Sequence, residues 1–199
     1  MKALLLVDIQ NDFSPTGSLP VKEGDRIIPF ANEMQKRFDL VVASQDWHPA
    51  DHGSFADNHN LEPGQIVDLN GIDQILWPVH CVQDTFGAEF IKGLDTGGIA
   101  RVFRKGSNPK IDSYSAFFDN DHRSSTGLSE YLKERGVEQL YIVGLATDYC
   151  VKFTALDSVR QGFDTNVVLE GCRGVELNPG DVDRAVAEMK SSGVRFSAE

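Results

Sequence analysis

The sequence predicts a three-layer α/β/α domain built on a mostly parallel central sheet. Three observations carry that expectation. Apolar runs rich in β-branched residues recur at 2–9, 39–45, 99–104, 138–144 and 164–169, with a weaker one at 194–196. Helical patterns lie between most of them. The links are short and punctuated by Gly and Pro, as expected when each strand is followed by a covering helix.

In chain order, residues 2–9 open with the run Leu4-Leu-Leu-Val7, which Asp8 ends. Residues 24–37 carry Ile27, Ile28, Ala31 and Met34 at helical spacing, before the second strand at 39–45. The stretch 46–98 fits neither period; it is long and rich in His, Asp, Gly and Pro. Long irregular insertions in compact domains are usually functional. The third strand, 99–104, precedes a helix over 126–136 stopped by Gly136, and the fourth is 138–144. The helix that follows places Val151, Ala155 and Val159 four apart on one face. After the strand at 164–169, Pro179 opens a last helix that ends before Gly193. The organisation is one domain over 1–199 with an insertion at about 46–98, and no repeat.

Composition narrows the function. A net charge of −11 argues against nucleic acid and anionic membranes, both of which need clustered Lys and Arg. A small neutral substrate is easier to accommodate. No apolar run approaches the roughly 18 residues that span a bilayer, and no cleavage-site pattern follows the first strand, so a cytoplasmic protein is expected. Cys81, Cys150 and Cys172 are odd in number and scattered, unlike a disulfide framework. Monomer and homo-oligomer are both open.

Cys150 sits where the fourth strand hands over to a helix, after Leu145-Ala-Thr-Asp148. With Thr147 or Asp148 as cap, the thiol falls near a helix N-terminus, which favours thiolate and lowers its pKa. The alternative is a buried, inert cysteine. In open parallel sheets, ligands bind beyond the carboxyl ends of the strands. Asp8 and Lys105 also fall there. A carboxylate closing an apolar strand needs a cation or a proton to share, and Lys105 and Cys150 could supply them. A plain buried salt bridge is the other reading. Asp12 looks like a cap or turn residue.

Asp46-Trp-His48 follows the second strand, and His80 in Trp77-Pro-Val-His-Cys81 could close a metal site from the far end of the insertion. One carboxylate and two imidazoles suit Zn²⁺, Fe²⁺ or Mn²⁺. His52 and His59 are further candidates, as ligands or as outer residues; His122 reads as an exposed loop. Phe13, Trp77 and Tyr114 stand on loops near the strand ends, where they could stack on a flat ring.

Seven blocks, in order, match one family: Val7-Asp-Ile-Gln-Asn-Asp-Phe13, Ala43-Ser-Gln-Asp-Trp-His-Pro49, His52-Gly-Ser-Phe55, Trp77-Pro-Val-His-Cys81, Lys105-Gly106, Asp112-Ser-Tyr-Ser-Ala-Phe-Phe118 and Gly144-Leu-Ala-Thr-Asp-Tyr-Cys-Val151. The chain resembles the bacterial nicotinamidase/pyrazinamidase family of isochorismatase-like cysteine hydrolases. The resemblance implies hydrolysis of nicotinamide to nicotinate and ammonia through a cysteine thioester, in NAD salvage, with pyrazinamide as a second substrate. It implies a triad of Asp8, Lys105 and Cys150, and one divalent metal, Zn²⁺ favoured, on Asp46, His48 and His80, with His52 undecided as a fourth ligand. It further implies a cis peptide between Leu145 and Ala146, an oxyanion hole from the Ala146 and Cys150 amides, and substrate contacts from Phe13, Trp77, Tyr114 and Leu145. Two rivals stand beside this reading: another isochorismatase-like amidase, or a hydrolase in which metal-bound hydroxide attacks and Cys150 is structural.

Overall fold

A computed structural model describes residues 1–197. Its six-stranded sheet is parallel throughout, in the order β5 (Ile99–Lys105), β2 (Leu40–Asp46), β1 (Lys2–Val7), β6 (Gln139–Leu145), β7 (Asp164–Arg173), β8 (Arg195–Phe196). The chain runs outward from β1 through β2 to β5, then returns to the other side of β1 with β6. The order therefore reverses between β1 and β6, the place where open α/β sheets form their ligand crevice.

Alternation along β1 divides the core into two layers. Ala3, Leu5 and Val7 face one side and Leu4 and Leu6 the other. The first side is covered by α2 (Leu128–Glu134), α3 (Lys152–Arg160) and α4 (Asp181–Ser191), through residues such as Leu132, Ala155 and Met189. The second is covered by a single helix, α1 (Ile28–Gln35), and by the insertion, which adds Trp77, Cys81, Ile91 and Leu94 to the core. The insertion thus stands in for helices that this face lacks.

Several boundaries differ from expectation. The helix expected over 24–37 begins as a 3₁₀ turn, Gly24–Ile27, and becomes α-helical only at Ile28, with Pro29 at its start. Strand β7 runs to Arg173, past a register shift against β6. The insertion contains an antiparallel hairpin, β3 (Ile66–Leu69) and β4 (Ile72–Ile75), that the irregular period concealed. Its turn is Asn70-Gly71, both at positive φ, a strong hairpin signal in any sequence.

Close approach at the crevice depends on one glycine. Gly144 pairs with Val7 at φ +138°, and a side chain there would collide with the Val7 backbone. The Leu145–Ala146 peptide is cis, as the resemblance implied.

Candidate active site

Four strand ends bring their polar residues together. Asp8 follows β1, Asp46 closes β2, Lys105 closes β5 beside it in register, and Cys150 comes five residues after β6. Lys105, with its side chain fully buried, is the hub. Its Nζ lies 2.5 Å from Asp46 Oδ1, 3.0 Å from Asp8 Oδ2 and 3.5 Å from Cys150 Sγ, and it donates to the Ser113 carbonyl at 2.7 Å. The expected Asp8–Lys105 pair is therefore a triad of charges in which Asp46 is the closer partner. Asp8 Oδ1 accepts from Ser44 Oγ at 2.6 Å, while Oδ2 has no aligned donor and keeps a lone pair free.

Burial and neighbouring charge set the protonation of this cluster. Burial raises the Asp8 pKa and Asp46 adds to it; Lys105 opposes both without cancelling them. Burial disfavours the Lys105 ammonium, but Asp46 and Asp8 more than restore it and hold its pKa well above the usual value. Burial likewise drives the Cys150 thiol well above its ordinary pKa, with Lys105 opposing and Asp8 and Asp46 reinforcing. The expected thiolate is thus corrected. Cys150 does not open a regular helix but lies in a π-turn, Thr147–Val151, and no side chain caps it. Asp148 turns away to accept the backbone N–H groups of Val175 and Glu176, at 3.0 and 2.7 Å. Cys150 rests as a thiol beside a carboxylate with a raised pKa, an acid next to its base.

Around Asp46 stand His48 and His80, each with Nε2 toward the carboxylate, at 3.8 and 3.9 Å from Oδ1 and Oδ2. Candidate ligand atoms of the three lie within 4.8 Å of one another, all buried. His48 Nδ1 bonds the Gly106 carbonyl at 2.8 Å and His80 Nδ1 the Pro78 carbonyl at 2.7 Å. Nδ1 is then the protonated nitrogen, which leaves both Nε2 lone pairs facing inward. Gly106 is needed here, since a Cβ would lie 2.6 Å from His48 Nδ1. Burial lowers the pKa of His48 to about 3 and of His80 to about 4, so both are neutral near pH 7.

The cluster opens on a small, half-enclosed cavity lined by Phe13, Trp77, Tyr114, Ala146 and Cys150, with Asp46 and His80 among its polar lining. Trp77 Nε1 donates to Tyr114 Oη at 3.1 Å, and the two rings meet edge-on, so the aromatic wall is held by a polar contact as well as packing. Leu145 is placed otherwise. Ending β6, it buries its side chain fully in the apolar layer, one residue before the lining residue Ala146. Four lining residues escaped the sequence reading: Leu19, Asp112, Tyr149 and Val175. Tyr149 was signalled by its place next to Cys150; nothing in the pattern marks Leu19 or Val175.

Other candidates resolve as structure. His59 bonds the Gly53 carbonyl. His122 lies on an exposed loop, as expected, and pairs there with Asp157 at 3.0 Å. Asp12 does more than turn the chain. Its Oδ1 accepts from Ser18 and its Oδ2 from Cys81 N–H at 2.7 Å, tying the loop after β1 to the insertion. His52 is fully buried; its Nδ1 meets Ser54 Oγ at 2.7 Å. No helix among the described residues is long and apolar enough to cross a membrane.

An acid, an ammonium and a thiol thus meet at the reversal point of a parallel sheet. The isochorismatase domain family matches residues 2–198. The chain is 50% identical to a nicotinamidase of Escherichia coli over 96% of this chain and 92% of the relative. It superposes with a TM-score of 0.95 on a nicotinamidase/pyrazinamidase from Acinetobacter baumanii, at 47% identity over 98% of this chain and 94% of that one. A pyrazinamidase from Pyrococcus horikoshii, solved in complex with zinc, matches with a TM-score of 0.81 at 38% identity, covering 100% and 99% of the two chains. The chain belongs to the isochorismatase family, within its nicotinamidase/pyrazinamidase group.

Proposed function

We propose that this protein hydrolyses nicotinamide to nicotinate and ammonia, through a thioester on Cys150. The observation that carries the reading is the buried Lys105 hub, which joins Asp8 to Asp46 and Cys150, two residues that line an aromatic-walled cavity. The substrate's flat ring lies among Phe13, Trp77 and Tyr114. Asp8 Oδ2 takes the thiol proton as Sγ bonds to the carboxamide carbon, and Lys105 stabilises the paired negative charges. Backbone amides of Ala146 and Cys150 hold the oxyanion, a contribution of about 3–4 kcal/mol per donor in other enzymes. Asp8 returns the proton to the amide nitrogen, and the C–N bond breaks to release ammonia. Asp8 then deprotonates water, whose oxygen attacks the thioester carbon; the C–S bond breaks, nicotinate leaves and the thiol is restored. Pyrazinamide, with the same carboxamide on a flat ring, fits the same path.

Asp46, His48 and His80 fit a divalent cation: one carboxylate and two neutral imidazoles with lone pairs converging, each ring fixed by a carbonyl. Zn²⁺ is the ion this donor set favours, with Fe²⁺ and Mn²⁺ compatible. When bound, the ion supplies an electrophilic anchor for the ring nitrogen of the substrate. A cytoplasmic setting, which keeps thiols reduced, suits Cys150 and a role in NAD salvage. The test is release of ammonia and nicotinate from nicotinamide, with metal content measured on the same preparation. The wild type turns over and Cys150→Ala, carrying the same metal, does not; turnover by that variant would transfer the attack to metal-bound hydroxide and overturn the thioester.

A further inference from the structure

Asp112 is a buried carboxylate that the proposed mechanism leaves unused. It lines the same cavity as Asp46 and His80, yet its oxygens meet only neutral donors, Ser113 N–H at 2.7 Å and Gln74 Nε2 at 3.1 Å. The Lys105 ammonium is engaged by Asp46, Asp8 and the Ser113 carbonyl. Asp8, Asp46 and Asp112 are each at most 4% exposed, and Lys105 is buried with them. Three carboxylates face one ammonium, an excess of two. Uncompensated carboxylates are expensive to bury, so the excess calls for a dication.

Geometry places Asp112 beside one imidazole of the proposed ligand set. A ring nitrogen of His48, one of His52 and a carboxylate oxygen of Asp112 lie within 4.8 Å of one another. His48 also belongs to the Asp46–His48–His80 set, and its Nδ1 is committed to the Gly106 carbonyl. Its Nε2 is the nitrogen left to face a cation, and His48 is the residue the two groups share. His52, fully buried, accepts the Ser54 N–H at Nδ1, so its unpartnered Nε2 carries the proton and is not a cation ligand.

We propose that Asp112 is the second negative charge of the cation site: a positioning residue outside the Asp46–His48–His80 ligand set that fixes how tightly the dication is held. Gln74 and the Ser113 amide orient it. The inference rests on the metal reading above.

The test is Co²⁺ and Zn²⁺ binding to metal-stripped protein, followed by calorimetry and by the visible spectrum of Co²⁺, for wild type, Asp112→Asn and Asp112→Glu. Asp112→Asn is expected to weaken both ions by about 10–100-fold, as loss of outer partners does at other metal sites. Asp112→Glu, which keeps the charge, should bind closer to wild type than to the Asn variant. Metal-free Asp112→Asn should melt no lower than the metal-free wild type, because it relieves repulsion that no cation then balances. Asn and wild type with the same affinity would overturn the inference. So would a loss of affinity with a lowered metal-free melting point that Glu fails to recover, since Asp112 would then act by packing. A wild type that binds neither ion would instead overturn the metal reading itself.

Discussion

The carboxyl edge of the sheet and the insertion after β2 line one cavity by different means. At the sheet edge, Asp8, Asp46 and Lys105 sit at or just past the ends of strands β1, β2 and β5, so backbone register alone brings Asp46 beside Lys105. In the insertion, little is set by register. Isolated backbone bridges hold Trp77 to the Phe55 segment and Cys81, next to His80, to His48, and side chains that cross from one segment to another add to them. Gln10 is the clearest of these. Its amide accepts the Asp46 N–H at 2.8 Å and donates to the carbonyls of Asp46 and Ala88, at 2.8 and 2.9 Å. Rigid strands place the reacting groups; a few buried hydrogen bonds hang the substrate and cation walls on them.

That contrast yields tests in order of expected effect. Asp8→Asn keeps the shape of the sheet edge but removes the base next to a protonated thiol. Ammonia release should fall about 10²–10⁴-fold, with KM and metal content little changed; a small effect would mean Cys150 loses its proton elsewhere. The imidazoles of the insertion should be sensitive to acid instead. His48 and His80 titrate near 3 and 4 when folded but near the ordinary 6.5 when unfolded. Between those values the unfolded chain binds more protons, so stability present above pH 6.5 is lost as pH falls toward 4. Each imidazole contributes about 1.4 kcal/mol per pH unit in that window. Urea melts of metal-free protein from pH 7 to 4 should show this slope, and a flat profile would mean the rings are not buried as neutral groups.

Gln10→Leu should uncouple the two regions by removing the acceptor of the Asp46 N–H and the donor to the Asp46 carbonyl, while the Ala88 carbonyl keeps Gln45, at a cost of about 2–3 kcal/mol in denaturant unfolding. It should also release metal more readily than wild type; unchanged stability and affinity would show that the clamp is dispensable. Tyr114→Phe keeps the ring and removes the acceptor for Trp77 Nε1 and Gln74. About 1 kcal/mol is expected, seen as a roughly fivefold higher KM for nicotinamide with kcat nearly kept. A fall in kcat alone would place Tyr114 in the chemistry instead.

The same contrast explains what was legible in the sequence. Strands β1, β2, β5 and β6 announce themselves by apolar runs, and residues at or just past their ends fall into the crevice by topology, so Asp8, Lys105 and Cys150 could be chosen before any coordinates. The match of whole blocks added His80, which spacing alone could only suggest. The β3–β4 hairpin was missed because its four-residue strands are too short and too exposed to show a period, although Asn70-Gly71 marked the turn. The Cys150 environment was misjudged because a helix N-terminus was inferred where a π-turn stands. Burial among carboxylates then outweighs any backbone dipole.

The central claim is that the sulfur of Cys150 forms and breaks the bond to substrate. Alkylation with iodoacetamide, quantified on the Cys150 peptide and on ammonia release from the same samples, tests it most directly. Activity should fall in proportion to label on Cys150 with bound metal unchanged, and nicotinamide should slow both together. Full turnover from protein whose Cys150 is completely alkylated would contradict it.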